Sequence, residues 1–157
     1  MAEQVRVRPL VPGDIPACEQ ILRGLPDWFG FEETNAQYIS DLETLPSIVA
    51  VSGKQIIGFL SLKHHTTDAA EVHVLAVPQD LHRKGIGRKL IDRAEEELAG
   101  RARLLQVKTL GPSHPDEGYA RTRSFYLALG FIPLEEIPTF WGTDNPCLIM
   151  VKPLISG

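Results

Sequence analysis

The residues with the clearest chemical potential form one short run, His82-Arg83-Lys84-Gly85-Ile86-Gly87. A strand end, Val74-Leu75-Ala76-Val77, and a turn over Pro78 to Lys84 lead into it, and Gly85-Ile86-Gly87 opens a helix. The first turn of a helix offers backbone N–H groups without intrahelical acceptors, together with the positive end of the helix dipole. A diphosphate placed there accepts several hydrogen bonds at once. Glycine at 85 and 87 lets phosphates approach the backbone with no Cβ in the way. Arg83, Lys84 and Arg88 add positive charge. Two other phosphate loops do not fit. There is no Gly-x-x-x-x-Gly-Lys-Ser/Thr, and Leu90 stands where Gly-x-Gly-x-x-Gly needs its third glycine.

Other polar residues invite weaker readings. His64, His65, Asp68, Glu71 and His73 lie close in sequence, but their spacing matches no common zinc motif, so no metal site is expected. Glu32 and Glu33 follow the aromatic pair Trp28-Phe29 and suit a helix start, where acidic residues complement the dipole. Cys18 and Cys147 are far apart and belong to no Cys-x-x-Cys pair, so both are expected as free thiols in or near the core.

These residues need elements to hold them. Val5 to Arg8 alternates like a strand. After Pro12-Gly13, Asp14 is expected to cap a helix bearing Ile15, Cys18, Ile21, Leu22 and Leu25 on one face. Pro26 to Gly30 reads as a loop, and a helix is expected from about Thr34 to Leu45, with Ile39 and Leu42 inward. Ser47–Val51 and Gln55–Lys63, joined across Ser52-Gly53-Lys54, read as a hairpin. Glu71–Val77 reads as a strand and Gly85 to about Ala99 as a helix, with Ile86, Leu90, Ile91, Ala94 and Leu98 on one side. Leu104–Leu110 is a strand. A loop from Gly111 to Gly118 precedes a helix from about Tyr119 to Leu129, which Gly130 ends. Phe131–Ile137 and Cys147–Lys152 close as strands. The order β α α β β β α β α β β predicts a mixed sheet: an antiparallel meander, one parallel crossover from Glu71 to Leu110, and helices on both faces.

The chain has 157 residues, which suits a single domain over 1–157. It is 43% hydrophobic and 23% charged, ordinary for a globular protein. The longest apolar run, Ile56 to Leu62, falls far short of the ~20 residues a membrane span needs. Met1-Ala2-Glu3-Gln4 lacks the basic and apolar regions of a signal peptide, so a cytoplasmic location is expected. The net charge of −4 disfavours nucleic acid as a partner and is compatible with a cationic acceptor.

The segment His82-Arg83-Lys84-Gly85-Ile86-Gly87 resembles the signature of the GNAT superfamily of N-acetyltransferases, Gln/Arg-x-x-Gly-x-Gly/Ala at a helix start, with histidine at its first position. A second run, Ser124-Phe125-Tyr126-Leu127-Ala128-Leu129-Gly130-Phe131, is similar to the family's Tyr-x-x-x-Gly-Phe. Tyr119 stands where many members have asparagine, and Thr122 where many have alanine. The element order also resembles the family's, over nearly the whole chain.

The resemblance implies acetyl-coenzyme A as cosubstrate and an amine as acceptor. Its diphosphate falls to His82, Arg83, Lys84, Gly85, Ile86, Gly87 and Arg88, and its pantetheine arm to Leu75, Ala76 and Val77, which also supply an oxyanion donor. An alkylamine, with pKa about 10.4, must lose a proton before it attacks a thioester. By resemblance Tyr126 is the general acid for the departing thiolate and Glu71 the general base. His73, two positions further along the strand and on the same face, is the other candidate base. Trp28-Phe29 with Glu32 and Glu33, the loop Gly111–Gly118 and Trp141 are positioned to shape the acceptor site. Acceptors in the family range from small amines to protein amino termini, and many members are dimers, so a homodimer is possible. The alternative reading is a non-catalytic acyl-coenzyme A sensor.

Overall fold

The computed structural model describes residues 4–154. Strand β1 (Val5–Pro9) leads through a 3-10 turn (Pro12–Asp14) to helices α1 (Ile15–Arg23) and α2 (Glu32–Asp41). Strands β2 (Ser47–Ser52), β3 (Gln55–His64) and β4 (Ala69–Ala76) follow, then a 3-10 turn (Gln79–Leu81) and α3 (Ile86–Leu98). The chain ends with β5 (Leu104–Leu110), α4 (Glu117–Ala128), β6 (Ile132–Ile137) and β7 (Cys147–Pro153). The seven strands are hydrogen-bonded in the order β1-β2-β3-β4-β5-β7-β6. The pair β4–β5 is parallel. This is the mixed α/β architecture expected from the element order. No helix among the described residues is long and apolar enough to cross a membrane.

The chain forms two compact units. One runs to Lys63 and takes in His73–Leu98; the other comprises His64–Val72 and the chain from Ala99 onward. In the first, β1, β2 and β3 pair antiparallel, with a register shift at Ala50/Val51. Its core sets Cys18, Ile21, Leu22 and Leu25 of the α1 region against Val49, Val51, Phe59, Val74 and Ala76 of the strands. The apolar stripe of α3 is complete: Ile86, Leu90, Ile91, Ala94 and Leu98 are all buried. Its amino-terminal turn packs onto Gly58 of β3. A Cβ at that glycine would come within 3.2 Å of Leu90 and Val77 and 3.3 Å of Ile86. The glycine therefore permits the close approach that seats the start of α3.

In the second unit β5 pairs antiparallel with β7 from Leu104↔Pro153 to Leu110↔Cys147. β7 pairs with β6 across a register shift at Pro133/Glu135, where proline has no N–H for the ladder. Asp116 caps α4 by accepting from Tyr119 N–H at 2.9 Å. The helix closes as expected on Gly130, at φ 96°. There Phe131 N–H donates to the Tyr126 carbonyl and Gly130 N–H to that of Leu127, the paired bonds of a Schellman end.

Several boundaries differ from the expected ones for physical reasons. Helix α2 ends at Asp41, not Leu45, because Leu42, Glu43 and Thr44 close tight bonds to carbonyls three residues back and Pro46 bars helical geometry at Leu45. α4 starts earlier than Tyr119 because Asp116 supplies the cap. β4 begins at Ala69 and ends at Ala76; Val77 leaves the strand. Asp14 does not cap α1. Its carboxylate instead accepts Val11 N–H at 2.9 Å and both Nη groups of Arg8 at 2.8 and 3.0 Å. Those bonds, opposed by partial burial, hold it below the usual carboxylate range.

Candidate active site

The chain leaves β4 at Ala76, and Val77 stays buried. The 3-10 turn is closed by Leu81 N–H to Pro78 O at 2.9 Å and His82 N–H to Gln79 O at 3.2 Å. The His82 ring then folds back, and its Nε2–H donates to the Val77 carbonyl at 2.7 Å. That bond requires the hydrogen on Nε2, because a carbonyl can only accept. Arg83 follows at φ 66° and Gly85 at φ 83°. Such left-handed geometry suits glycine and costs another residue roughly 1–2 kcal/mol. Gly85 is thus fixed by backbone geometry: a Cβ there would meet nothing within 4 Å. The Gly85 carbonyl accepts Lys89 N–H at 3.1 Å and begins α3. The N–H groups of Ile86, Gly87 and Arg88 in the first turn have no intrahelical acceptor. Arg83, Lys84 and Arg88 are exposed around them. This donor set fits a diphosphate.

Of the expected strand residues, Leu75 is half-buried and Ala76 is buried in the core. The Val77 carbonyl is engaged by His82.

Glu71 is 6% exposed. Its Oε1 accepts from His65 Nε2 at 2.6 Å, Lys108 Nζ at 3.0 Å and Gln106 Nε2 at 3.2 Å. The parallel register Glu71↔Gln106 and the two-residue period of β5 bring Gln106 and Lys108 to it. Burial pushes the carboxyl up, but the three hydrogen bonds and the Lys108 charge outweigh it and hold the group below its ordinary value. Lys108 Nζ also lies 5.5 Å above the Phe140 ring, which meets exposed Trp141 edge-to-face.

His73 has a separate set of partners. Its Nε2 lies 2.9 Å from Asp41 Oδ2, and its ring meets Tyr38 edge-to-face with centroids 5.2 Å apart. Tyr38 and Asp41 share a face of α2, and Gln37 Nε2 holds the other Asp41 oxygen at 2.8 Å. Since a carboxylate can only accept, Nε2 carries the hydrogen, so a lone pair on this ring can lie only on Nδ1. Asp41, Tyr38, Lys108 and Gln106 have no local sequence signal; only tertiary pairing reveals them.

Tyr126 is 4% exposed, with its ring against Phe125 at 5.1 Å and Phe131 at 5.2 Å. Burial, then the neighbouring Tyr119, pushes its phenol above the ordinary value, so it is neutral at pH 7. Two further polar candidates are engaged elsewhere. Asp68 pairs with Arg103 at 3.1 Å, and Glu32 with Arg23. A cleft of about 920 Å³ in the first unit is lined by Arg8, Asp14, Gln20, Lys54 and Pro78–Asp80 among others. It touches the start of the Val77–Arg88 loop but none of Glu71, His73 or Tyr126.

The chain matches no curated protein sequence at a significant level. It does resemble solved structures. A protein from Desulfovibrio desulfuricans described as a GNAT-family acetyltransferase shares 19% identity over 97% of this chain and 100% of that one, with a TM-score of 0.84. The ribosomal-protein-S18-alanine N-acetyltransferase from Escherichia coli shares 21% over 98% and 97%, with a TM-score of 0.78. An aminoglycoside 6'-N-acetyltransferase, solved with coenzyme A, shares 19% over 96% and 97%, with a TM-score of 0.77. At these identities the likeness is one of fold. The family itself is set by residues 44–133, more than half of the chain, which match the acetyltransferase (GNAT) domain. That span holds Glu71, His73, the loop from Val77 to Arg88, Tyr126 and Gly130, and the chain belongs to the GNAT family of acetyltransferases.

Proposed function

We propose that this protein transfers the acetyl group of acetyl-coenzyme A to a primary amine, on a small molecule or on a peptide or protein. The observation that carries the reading is the loop from Val77 to Arg88, where the His82 lock and two left-handed residues deliver the first turn of α3 among three cations. The coenzyme A in the structurally similar aminoglycoside enzyme supports the same cosubstrate here.

When bound, acetyl-coenzyme A supplies a thioester whose carbonyl carbon takes the amine nitrogen as the C–S bond breaks. The amides of Ile86, Gly87 and Arg88, with Arg83 and Lys84, receive the diphosphate, and the Leu75–Val77 strand end holds the pantetheine arm. The general acid that protonates the departing thiolate is assigned to Tyr126 on its place in the family motif Tyr126-x-x-x-Gly130-Phe131. A base takes the proton the amine loses. Among the two candidates, the hydrogen-bond partners favour His73. Asp41 holds its Nε2–H and directs the lone pair to Nδ1, whereas Glu71 is kept ionised by three donors and is the weaker proton acceptor.

The test is a panel of small amines and peptides incubated with acetyl-coenzyme A, with free thiol as the signal and cosubstrate binding followed by calorimetry. The reading expects acceptor-dependent thiol release. Binding with no release for any acceptor makes the protein an acyl-coenzyme A sensor, and absence of binding overturns the assignment of the loop.

A further inference from the structure

The segment between α1 and α2 is pinned although it is not helical. Trp28 and Phe29 N–H both donate to the Leu25 carbonyl, at 3.1 and 2.9 Å. Buried Asn35 of α2 donates from Nδ2 to the Phe29 carbonyl at 2.9 Å. From this backbone the half-buried Trp28 indole meets the His82 ring edge-to-face, with centroids 5.4 Å apart and planes at 75°. His82 in turn holds the Val77 carbonyl.

The loop needs such support. Arg83 sits in the left-handed region, a cost that persists only where surrounding contacts over-determine the backbone. His82 is exposed, and its single part-buried hydrogen bond to Val77 has a modest net worth because water competes for the ring. An aromatic wall on the His82 ring restricts its swing and shields that bond.

We infer that Trp28 is a positioning residue for the cosubstrate: it clamps the His82 ring, and through it holds the Val77–Gly85 loop in the conformation that receives the diphosphate. This rests on the reading of that loop given above. Loss of the clamp lowers the fraction of molecules with a competent loop, and apparent affinity falls by that fraction. Conversely, an occupied loop alters the surroundings of Trp28.

Acetyl-coenzyme A alone tests this, with no acceptor required. The chain has two tryptophans, so Trp141→Phe leaves Trp28 as the only tryptophan, and excitation at the red edge of the indole band keeps tyrosine silent. Its emission should change on titration, with the dissociation constant found by calorimetry, and His82→Ala should abolish the change. Trp28→Ala should weaken binding about 3- to 10-fold, the scale of one aromatic contact. His82→Gln keeps a donor for Val77 but removes the ring, and it lies on the surface where folding is tolerant. The Trp28→Ala/His82→Gln pair should bind no more weakly than the worse single variant. Additive losses, wild-type affinity in folded Trp28→Ala, or binding with unchanged Trp28 emission each overturn the clamp. If the wild-type protein does not bind acetyl-coenzyme A at all, the cosubstrate reading fails first and the clamp falls with it.

Discussion

Tyr126 keeps its proton through the neutral range because burial, and then Tyr119, raise its phenol. Tyr126→Phe removes one oxygen and leaves the packing on Phe125 and Phe131 in place. Turnover should fall about 10²-fold or more, the usual worth of a positioned acid, while the dissociation constant for acetyl-coenzyme A stays within about twofold. Unchanged turnover removes Tyr126 from the proton transfer. Glu71 leads to a different prediction. Its folded pKa is depressed below the ordinary 4.5. Its contribution to stability is therefore complete above that value and is lost as pH falls through the folded one. The urea midpoint of the wild type should drop between pH 5 and 3 more than that of Glu71→Gln, in which the group no longer titrates. Parallel pH curves for the two proteins would show that the contacts with His65, Gln106 and Lys108 contribute nothing to stability.

Among the elements, α3 depends on one small residue. Gly58→Ala pushes a methyl group against Leu90, Val77 and Ile86, at distances where each neighbour must give way by a few tenths of an ångström. Overpacking of this kind costs about 1–3 kcal/mol. Because two of those neighbours belong to α3, the expected result is a lower unfolding midpoint together with weaker acetyl-coenzyme A binding. A loss of stability with unchanged binding would mean that the displacement does not reach the Val77–Arg88 loop. The same elements show what the sequence could reveal. The stripe of α3 is legible because every inward position is apolar, and β5 is legible from the alternation of buried Leu105 and Val107 even though Thr109 continues it as a polar residue. The period of α2 runs on through Leu42 toward Leu45, and Pro46, a local signal, is what stops it. The Val77–Arg88 loop is legible because its free donors are backbone groups adjacent in sequence. The partners of Glu71 and His73 are not, since Lys108 and Asp41 lie 37 and 32 residues away and arrive through strand register and helix docking. His82 is legible as a motif position but not in its role, because a motif does not say that a ring turns back onto its own loop.

At the scale of the whole molecule, each compact unit contains one buried free thiol, Cys18 in the first and Cys147 in the second. Burial pushes Cys18 up to about 12, with the Asp14 charge adding to it and Arg8 opposing; it pushes Cys147 up to about 11 against the pull of Lys108. Neither thiol is nucleophilic in the folded state at neutral pH, since the thiolate is the reactive form. Modification must then pass through opening of the surrounding structure, so each cysteine reports the free energy of opening its own unit. In the variant Cys147→Ala only Cys18 remains, and in Cys18→Ala only Cys147. Labelling of each should be slow in the absence of denaturant and should accelerate with urea as the unit around the remaining thiol opens. A labelling rate that does not respond to urea would mean that the thiol is reached without opening of its unit.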